Sequence, residues 1–519
     1  EGQVIGIHSR SNDLTVNCGS WNNRGSALGS NGVTSTLSGA YNGSGQLLSQ
    51  GSLALSSQTF TNSGQLAADR LQLTGRDGLT NSGLLQGNSH LTLTGAGLNN
   101  QAGGQVLSTG NLWLDAAAQT NAGLLLAGQT LDLIATTLSN SGTLQAGTLQ
   151  LATSQQLTNL ASGTLLAQNG ATLSGALLDN RGQLAANNLT VNNATVTNSG
   201  LLQGASALTL TNTTLTNLAT GRLLSGGALS LVNTGFTNEG TVQGQTLTLN
   251  AATATNRGSL LGTDALAATL TDGLLNSGQL LSHGTMRFNS GWLTNDGALL
   301  GEGDVTLTGN QLTNRGNIQG NTLLLGNGQV DNSGTVIGLH SLTLQATAPL
   351  TGRLLRAIAP QKLTNNGGGK LLSQGTLSAT GGSVINNGSW QGQRILLNAQ
   401  QLQNSGSLQS ADALTLAVTG SLDTATGSKL IASGLASLQA ATYSNQGQWL
   451  AKNLIVRGGS LDNRGDISGV EGLDIALSGG ITVQRGTTLL TAGNLALSGA
   501  SVTNLGRVQG ANVTLNSGA

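Results

Sequence analysis

A seven-residue turn recurs along almost the whole chain, and its spacing limits the fold more than any other feature. The turn reads apolar, any residue, Asn, any residue, Gly, any residue, apolar. It appears as FTNSGQL at Asn62, LTNSGLL at Asn81, LSNSGTL at Asn140, VTNSGLL at Asn198 and FTNEGTV at Asn238. Later copies are LTNDGAL at Asn295, LTNRGNI at Asn314, LQNSGSL at Asn404, LDNRGDI at Asn463 and VTNLGRV at Asn504. Asn121, Asn180, Asn256, Asn276 and Asn332 hold the same place in further copies. At Asn159, Asn217 and Asn365 two extra residues precede the Gly. The step from Asn62 to Asn81 is 19 residues, as are Asn121 to Asn140 and Asn140 to Asn159. After an insertion-bearing turn the step is 21, as from Asn159 to Asn180 and from Asn217 to Asn238. Each insertion lengthens its own repeat and leaves the next in phase, as a loop added to a fixed coil would.

Between turns the apolar residues alternate. Leu85 is followed by Leu91 and Leu93, and Leu202 by Leu208 and Leu210. Period two marks strands, so each repeat holds about three short strands. One such repeat cannot bury its own leucines, whereas stacked repeats bury them against neighbours above and below. The expected fold is all-β: a parallel β-solenoid with about 19 residues per coil, roughly 25 coils between Asn23 and Asn504, no helical domain and a length near 120 Å at ~4.8 Å per coil. The whole of 1–519 reads as one continuous solenoid. Asn at the turn is expected to tolerate left-handed or bridge dihedrals and to bond its counterpart in the next coil; Gly two residues on is expected to supply positive φ. Leucine-rich repeats, propeller blades and calcium-binding nonapeptide repeats need other spacings.

Composition agrees. Charged residues are 8% of the chain, Gly numbers 79 of 519, and aromatics are 2%. Hydrophobic residues reach 37%, enough for a core and too many for disorder. Glu occurs only at Glu1, Glu239, Glu302 and Glu471, and Gly is too abundant for helices. Net charge is zero, so the footprint of a nucleic-acid binder is missing. The single Cys18 supplies neither a disulfide nor a zinc set. No apolar run reaches the ~18 residues of a membrane span. Glu1 opens the chain without a leader, and the repeats start almost at once, which reads as the middle of something longer.

These turns at this period resemble the haemagglutinin repeats of the filamentous haemagglutinin family. The resemblance covers Asn23 to Asn504. It implies a right-handed parallel β-helix, the shaft of a large exoprotein of two-partner secretion. Such a protein leaves through a dedicated outer-membrane secretion pore, stays at the bacterial surface and meets a receptor on a host or bacterial cell. It acts as an adhesin or as a toxin carrier in contact-dependent growth inhibition. The family's N-P-N-G-type secretion motif and its Val-Glu-Asn-Asn boundary are not found here. A monomeric filament, no cofactor, no metal and no enzymatic activity are expected.

Several residues are candidates for more than scaffolding. Arg464, Gly465 and Asp466 spell an integrin-binding triplet, although Arg fills the same turn position at Arg24, Arg181, Arg257 and Arg315. The stretch 340–365 breaks the period: 33 residues separate Asn332 from Asn365, and Pro349, Arg353, Arg356, Pro360 and Lys362 lie inside. It reads as a shortened or kinked coil, or as a binding loop. A segment that itself binds glycan or integrin is the second reading. A polysaccharide lyase or hydrolase is a remote third, since Asp69, Asp179, Asp264, Asp304, Asp331, Asp412 and Asp462 form no same-offset pair in adjacent coils. His8, His90, His283 and His340 are scattered. Trp21, Trp113, Trp292, Trp390 and Trp449 read as surface packing, and Cys18 as a small buried residue.

Overall fold

A computed structural model describes residues 3–5, 8–345 and 361–518, with side chains from Arg10. Among them every regular element is a strand, and the chain is a parallel β-solenoid of about 26 turns spaced by about 19 residues. Contacts divide it into two compact units, Glu1–Ala252 with Arg257–Leu260, and Thr253–Asn256 with Leu261–Ala519.

In the first unit the coil Gln65–Asn81 lies parallel to Leu84–Asn100, pairing Leu66 with Leu85, Leu71 with Leu91, Leu73 with Leu93 and Asn81 with Asn100. Register shifts after Ala68 and Gly75 cut the run into three straight segments. Side chains alternate inward and outward along each segment. Equivalent residues therefore stack: Leu47, Leu66, Leu85, Val106 and Leu125 form one inner column, each at most 1% exposed. Each buried leucine contributes about 1.5–3 kcal/mol, and the column repeats that gain coil after coil. In the second unit Trp390 stacks on Leu408, Ile395 on Leu414 and Leu397 on Leu416 in the same way.

One sequence expectation about the turn is narrowed and another corrected. Among the described residues no residue other than Gly has positive φ, so the turn Asn is not left-handed. The motif glycines are not left-handed either: positive φ is confined to Gly78, Gly103, Gly175, Gly309, Gly368, Gly427, Gly458 and Gly486. Close approach explains the motif Gly instead. A Cβ on Gly83 would run into the carbonyl of Gly64, and one on Gly297 into that of Gly278, far inside the 3.0 Å that real Cβ atoms keep.

The tryptophans are also corrected. Trp21, Trp390 and Trp449 are core residues, 0–1% exposed, and only Trp292 is open at 40%; Trp113 is half-exposed. Trp21 meets Tyr41 edge-on and Tyr41 stacks on Phe60, centroids 5.6 and 5.0 Å apart. Cys18 is half-exposed rather than buried, its Sγ donating to the Ser20 carbonyl at 3.3 Å.

Across the 33-residue step Asn332 and Asn365 stand in adjacent coils, while most of the stretch expected to be a shortened or kinked coil, 346–360, lies outside the described residues. Gln329, Val330, Asp331 and Asn332 pair directly with Lys362, Leu363, Thr364 and Asn365, and Thr335–Gly338 with Lys370–Ser373. The extra residues leave the ladder in register on both sides. Pro349, Arg353, Arg356 and Pro360 lie outside the described residues; Lys362 is exposed.

Candidate functional site: the turn edge and its grooves

The turn Asn side chains point inward and form a hydrogen-bonded column. Asn62 Nδ2 donates to Asn81 Oδ1 at 2.8 Å, Asn81 to Asn100 at 2.9 Å, Asn121 to Asn140 at 2.8 Å and Asn180 to Asn198 at 2.8 Å. In the second unit Asn256 donates to Asn276, Asn276 to Asn295, Asn295 to Asn314 and Asn314 to Asn332, at 2.7–2.8 Å. Asn332 then donates to Asn365 at 2.8 Å. Nδ2 also reaches the carbonyl of the turn Gly, as from Asn140 to Gly142 at 3.1 Å. Asn62, Asn238, Asn404 and Asn463 are 0–1% exposed, as are the rest of the ladder named above, whereas Asn504 is exposed. A buried primary amide is costly unless its donors and acceptor are used. Asn meets that demand because its two donors and one acceptor match one neighbour coil on each side.

Sequence reading missed three rungs. Asn386 and Asn445 are followed by Trp390 and Trp449 where leucine was required, and Asn100 hides behind Asn99 in a turn with an insertion. Allowing any large apolar residue at the last position would have found the first two. Among the described residues three coils replace the Asn, at Thr424, Val483 and Gly43. Thr424 Oγ1 donates to Asn445 Oδ1 at 2.7 Å and accepts from Trp449 Nε1 at 3.1 Å. Val483 stands between Asn463 and Asn504 and supplies no amide. Near the start Gly43 holds the place between Asn23 and Asn62. The Tyr41 ring fills its space, and burial pushes that phenol up to about 12.

The longer turns are evenly placed. Asn100, Asn159 and Asn217 begin such turns in the first unit, 59 and 58 residues apart. In the second unit Asn365, Thr424 and Val483 do so, at intervals of 59. Each interval is three coils, so two short turns lie between neighbouring long ones. The long turn bulges out and returns to the same stacked Gly: Asn100 Nδ2 donates to the Gly104 carbonyl at 3.2 Å, as short turns do two residues on. The result is a shallow groove two coils wide. One is lined by Gly427 and Ser428 on one wall, Gly486 and Thr487 on the other, and Gln446, Gly447, Arg464 and Gly465 on its floor.

Arg464, Gly465 and Asp466 thus sit on a groove floor, in the ordinary turn geometry. Arg464 Nε donates to Asp462 Oδ2 at 2.9 Å, and Thr488 Oγ1 donates to Asp466 Oδ1 at 2.6 Å. Gln484 Nε2 donates to the other oxygen of Asp462 at 2.9 Å. Both ends of the triplet are engaged by neighbours, through exposed bonds worth only about 0–1 kcal/mol.

The remaining ionisable groups are brought together mainly as opposite charges one coil apart: Asp296 with Arg315 at 2.9 Å, Glu239 with Arg257 at 3.5 Å, and Glu471 with Lys452 at 3.2 Å. Asp179 pairs with Arg181 at 2.7 Å within one turn. Asp69 accepts from Ser89 Oγ at 3.1 Å, and Asp331 accepts from Asn366. His283 Nδ1 lies 3.0 Å from Glu302 Oε1; His90 and His340 are exposed, and the side chain of His8 lies outside the described ones. Among the described residues no three His, Cys, Asp or Glu side chains converge as a metal site. Asp132 is raised from the usual carboxylate range by burial alone. Among the described residues no helix is long and apolar enough to cross a membrane.

Comparison with known proteins settles the family. The pattern described as Haemagglutinin repeat matches residues 10–83, 144–184, 184–243, 244–291, 287–351, 326–400, 394–465 and 466–519. The chain belongs to the haemagglutinin-repeat family. Each matched stretch spans two or more of the coils described above. The chain is similar to 16S rRNA endonuclease CdiA of Enterobacter cloacae, 35% identical over 476 residues, 82% of this chain and 14% of that protein. It is similar to Deoxyribonuclease CdiA of Dickeya dadantii, 34% identical over 460 residues, 82% of this chain and 13% of that one. Toxin CdiA of Escherichia coli is 33% identical over 389 residues, 71% of this chain and 11% of its own length. The chain therefore spans only about a seventh to a ninth of these haemagglutinin-repeat relatives. No solved structure matches it.

Proposed function

We propose that this haemagglutinin-repeat solenoid is a structural shaft of a large exoprotein, secreted through an outer-membrane pore and held at the bacterial surface. It carries a receptor-binding or toxin-bearing part toward a target cell, for adhesion or contact-dependent inhibition. One observation carries the reading. Relatives named for different activities, a 16S rRNA endonuclease and a deoxyribonuclease, each match 82% of this chain, so their matches overlap over most of it. A segment that set the activity would change with it; a common carrier would not. The segment's own chemistry fits a carrier: amides and leucines locked in columns, carboxylates mostly tied to neighbours. The reading is non-enzymatic.

The test is exchange and deletion in the parent protein. Replacing residues 62–238 with the matching coils of the Dickeya relative should leave the delivered activity unchanged. Deleting whole coils should lower delivery to target cells while toxin activity in a lysate stays intact. A change in which nucleic acid is cut after the exchange would sink the idea.

A second reading, direct contact with a glycan or integrin, is favoured by the groove that holds Arg464 and Asp466. Cell binding by the 519-residue chain that disappears in Asp466→Ala, with the solenoid intact, would support it.

A further inference from the structure

We infer that one outer face of the first unit is a surface for lateral pairing with a second copy of this chain. Five residues past each turn Asn, two more where the turn is long, an outward side chain stands in a column. That column runs in register from Leu28 to Leu48 and Ala67, on through Leu107 and Leu126, and in the first unit reaches Leu224 and Gln243. Every position between is Leu, Ala or Gln. The leucines are half-exposed, not core. The companion column, two residues earlier, holds Ser, Gln, Leu and Thr, with Arg222 its one charge.

The absence of charge is specific to this face. The next face of the same coils carries Arg70, Asp115 and Asp132 outward. Stacking repulsion alone would exclude charge from every face alike. Six of the twelve positions are Leu and two are Ala, so outward apolar side chains at a ~4.8 Å pitch form a stripe broken only by single Gln residues, of the kind that marks an interaction site.

The size fits a protein partner. Four residues along the strand span ~13 Å, and each coil adds ~4.8 Å, so about twelve coils present ~750 Å² per copy. A pair would cover ~1,500 Å², within the usual range for a specific interface. The chemistry fits a second copy. Both stripes have the same pitch, so side chains of one can fall between side chains of the other from coil to coil. Gln both donates and accepts, so Gln facing Gln is satisfied in either direction of approach. Net charge is zero, so copies do not repel at long range. A membrane-binding face would add Lys, Arg or aromatic residues, and this face has one Arg at its end.

Sedimentation of the 519-residue chain tests it. The wild type should sediment as a dimer between roughly 1 and 100 μM, a span open to interfaces of this size. Leu126→Lys with Leu166→Lys should weaken pairing at least tenfold. Thr190→Lys with Thr209→Lys, on the next face, should not. Circular dichroism checks that each variant keeps its strands. Should the lysine pair unfold the chain, Leu126→Cys in a Cys18→Ser background decides: it should form a disulfide-linked dimer, and Thr190→Cys should not. A wild type that stays monomeric at the highest concentration overturns the inference. So does equal loss in both lysine variants, or flotation with phosphatidylcholine vesicles without pairing. Loss of pairing with the solenoid intact leaves the shaft reading standing.

Discussion

The carbonyl oxygen of Gly64 occupies the space that a side chain on Gly83 would need. The contact recurs in the short turns, where Gly123 sits on Gly104, Gly142 on Gly123 and Gly316 on Gly297. Gly83→Ala has no flexible side chain to push aside, only backbone. It should cost about 3 kcal/mol or more, the upper range of overpacking. Gly235→Ala is the matched control: nothing lies within 4 Å of its Cβ, and a strand Gly replaced by Ala gains about 0.5–1 kcal/mol. Thermal melting should separate the two in opposite directions.

Asn121 both accepts from Asn100 and donates to Asn140, each at 2.8 Å. Asn121→Asp keeps the shape and removes a donor. Burial raises the carboxyl pKa in the fold, so the neutral acid is the tolerated form. The variant's penalty is then small below about pH 4, the unfolded pKa, and grows as pH rises. Melting at pH 3 should fall close to wild type and at pH 7 well below it. Equal losses at both pH values would mean the side chain is not buried.

Tyr41 predicts the alkaline limit. Its phenol is pushed from 10.0 to about 12, so it stays protonated in the fold while the unfolded chain ionises near 10. Stability should hold up to about pH 10 and fall between 10 and 12 by about 3 kcal/mol from this group. Burial raises Tyr443 in the same direction. Tyr41→Phe should make the fall shallower, read from denaturant midpoints across that range.

The long turns should be removable. Deleting Ala102 and Gly103 joins Gln101 to Gly104 and leaves Asn-Gln-Gly, the composition of a short turn. The stacked Gly and the Asn100 to Asn121 bond, 2.8 Å, are kept. Melting should move by no more than a surface change does, about 0.5 kcal/mol. A large loss would show that the bulge holds its neighbours together.

Much of this was legible before any coordinates. The 19-residue step and the period-two leucines define coil and strand, because both follow from what must be buried. The Asn column followed from one residue type repeating at one offset. The reason for the glycine was not legible: positive φ and close approach both select Gly, and only the position of the Gly64 carbonyl tells them apart. Trp390 and Trp449 were misplaced because a large ring in an otherwise leucine-lined column looks foreign. Trp449 fits because Thr424, smaller than Asn, offers its hydroxyl to the indole. The three-coil rhythm of long turns was hidden because Asn100, Thr424 and Val483 do not read as insertion-bearing Asn turns.

From Asn62 through Asn121 each amide of the ladder gives a hydrogen to the coil that follows, and Asn81, Asn100 and Asn121 take one from the coil before. The small dipoles therefore all point one way, and the two ends of any stretch differ. The first rung turns an acceptor oxygen toward the coil before it, the last a donor N–H toward the coil after it. Wherever the stack is interrupted, the exposed rung already dictates which segment of chain fits next, and from which side.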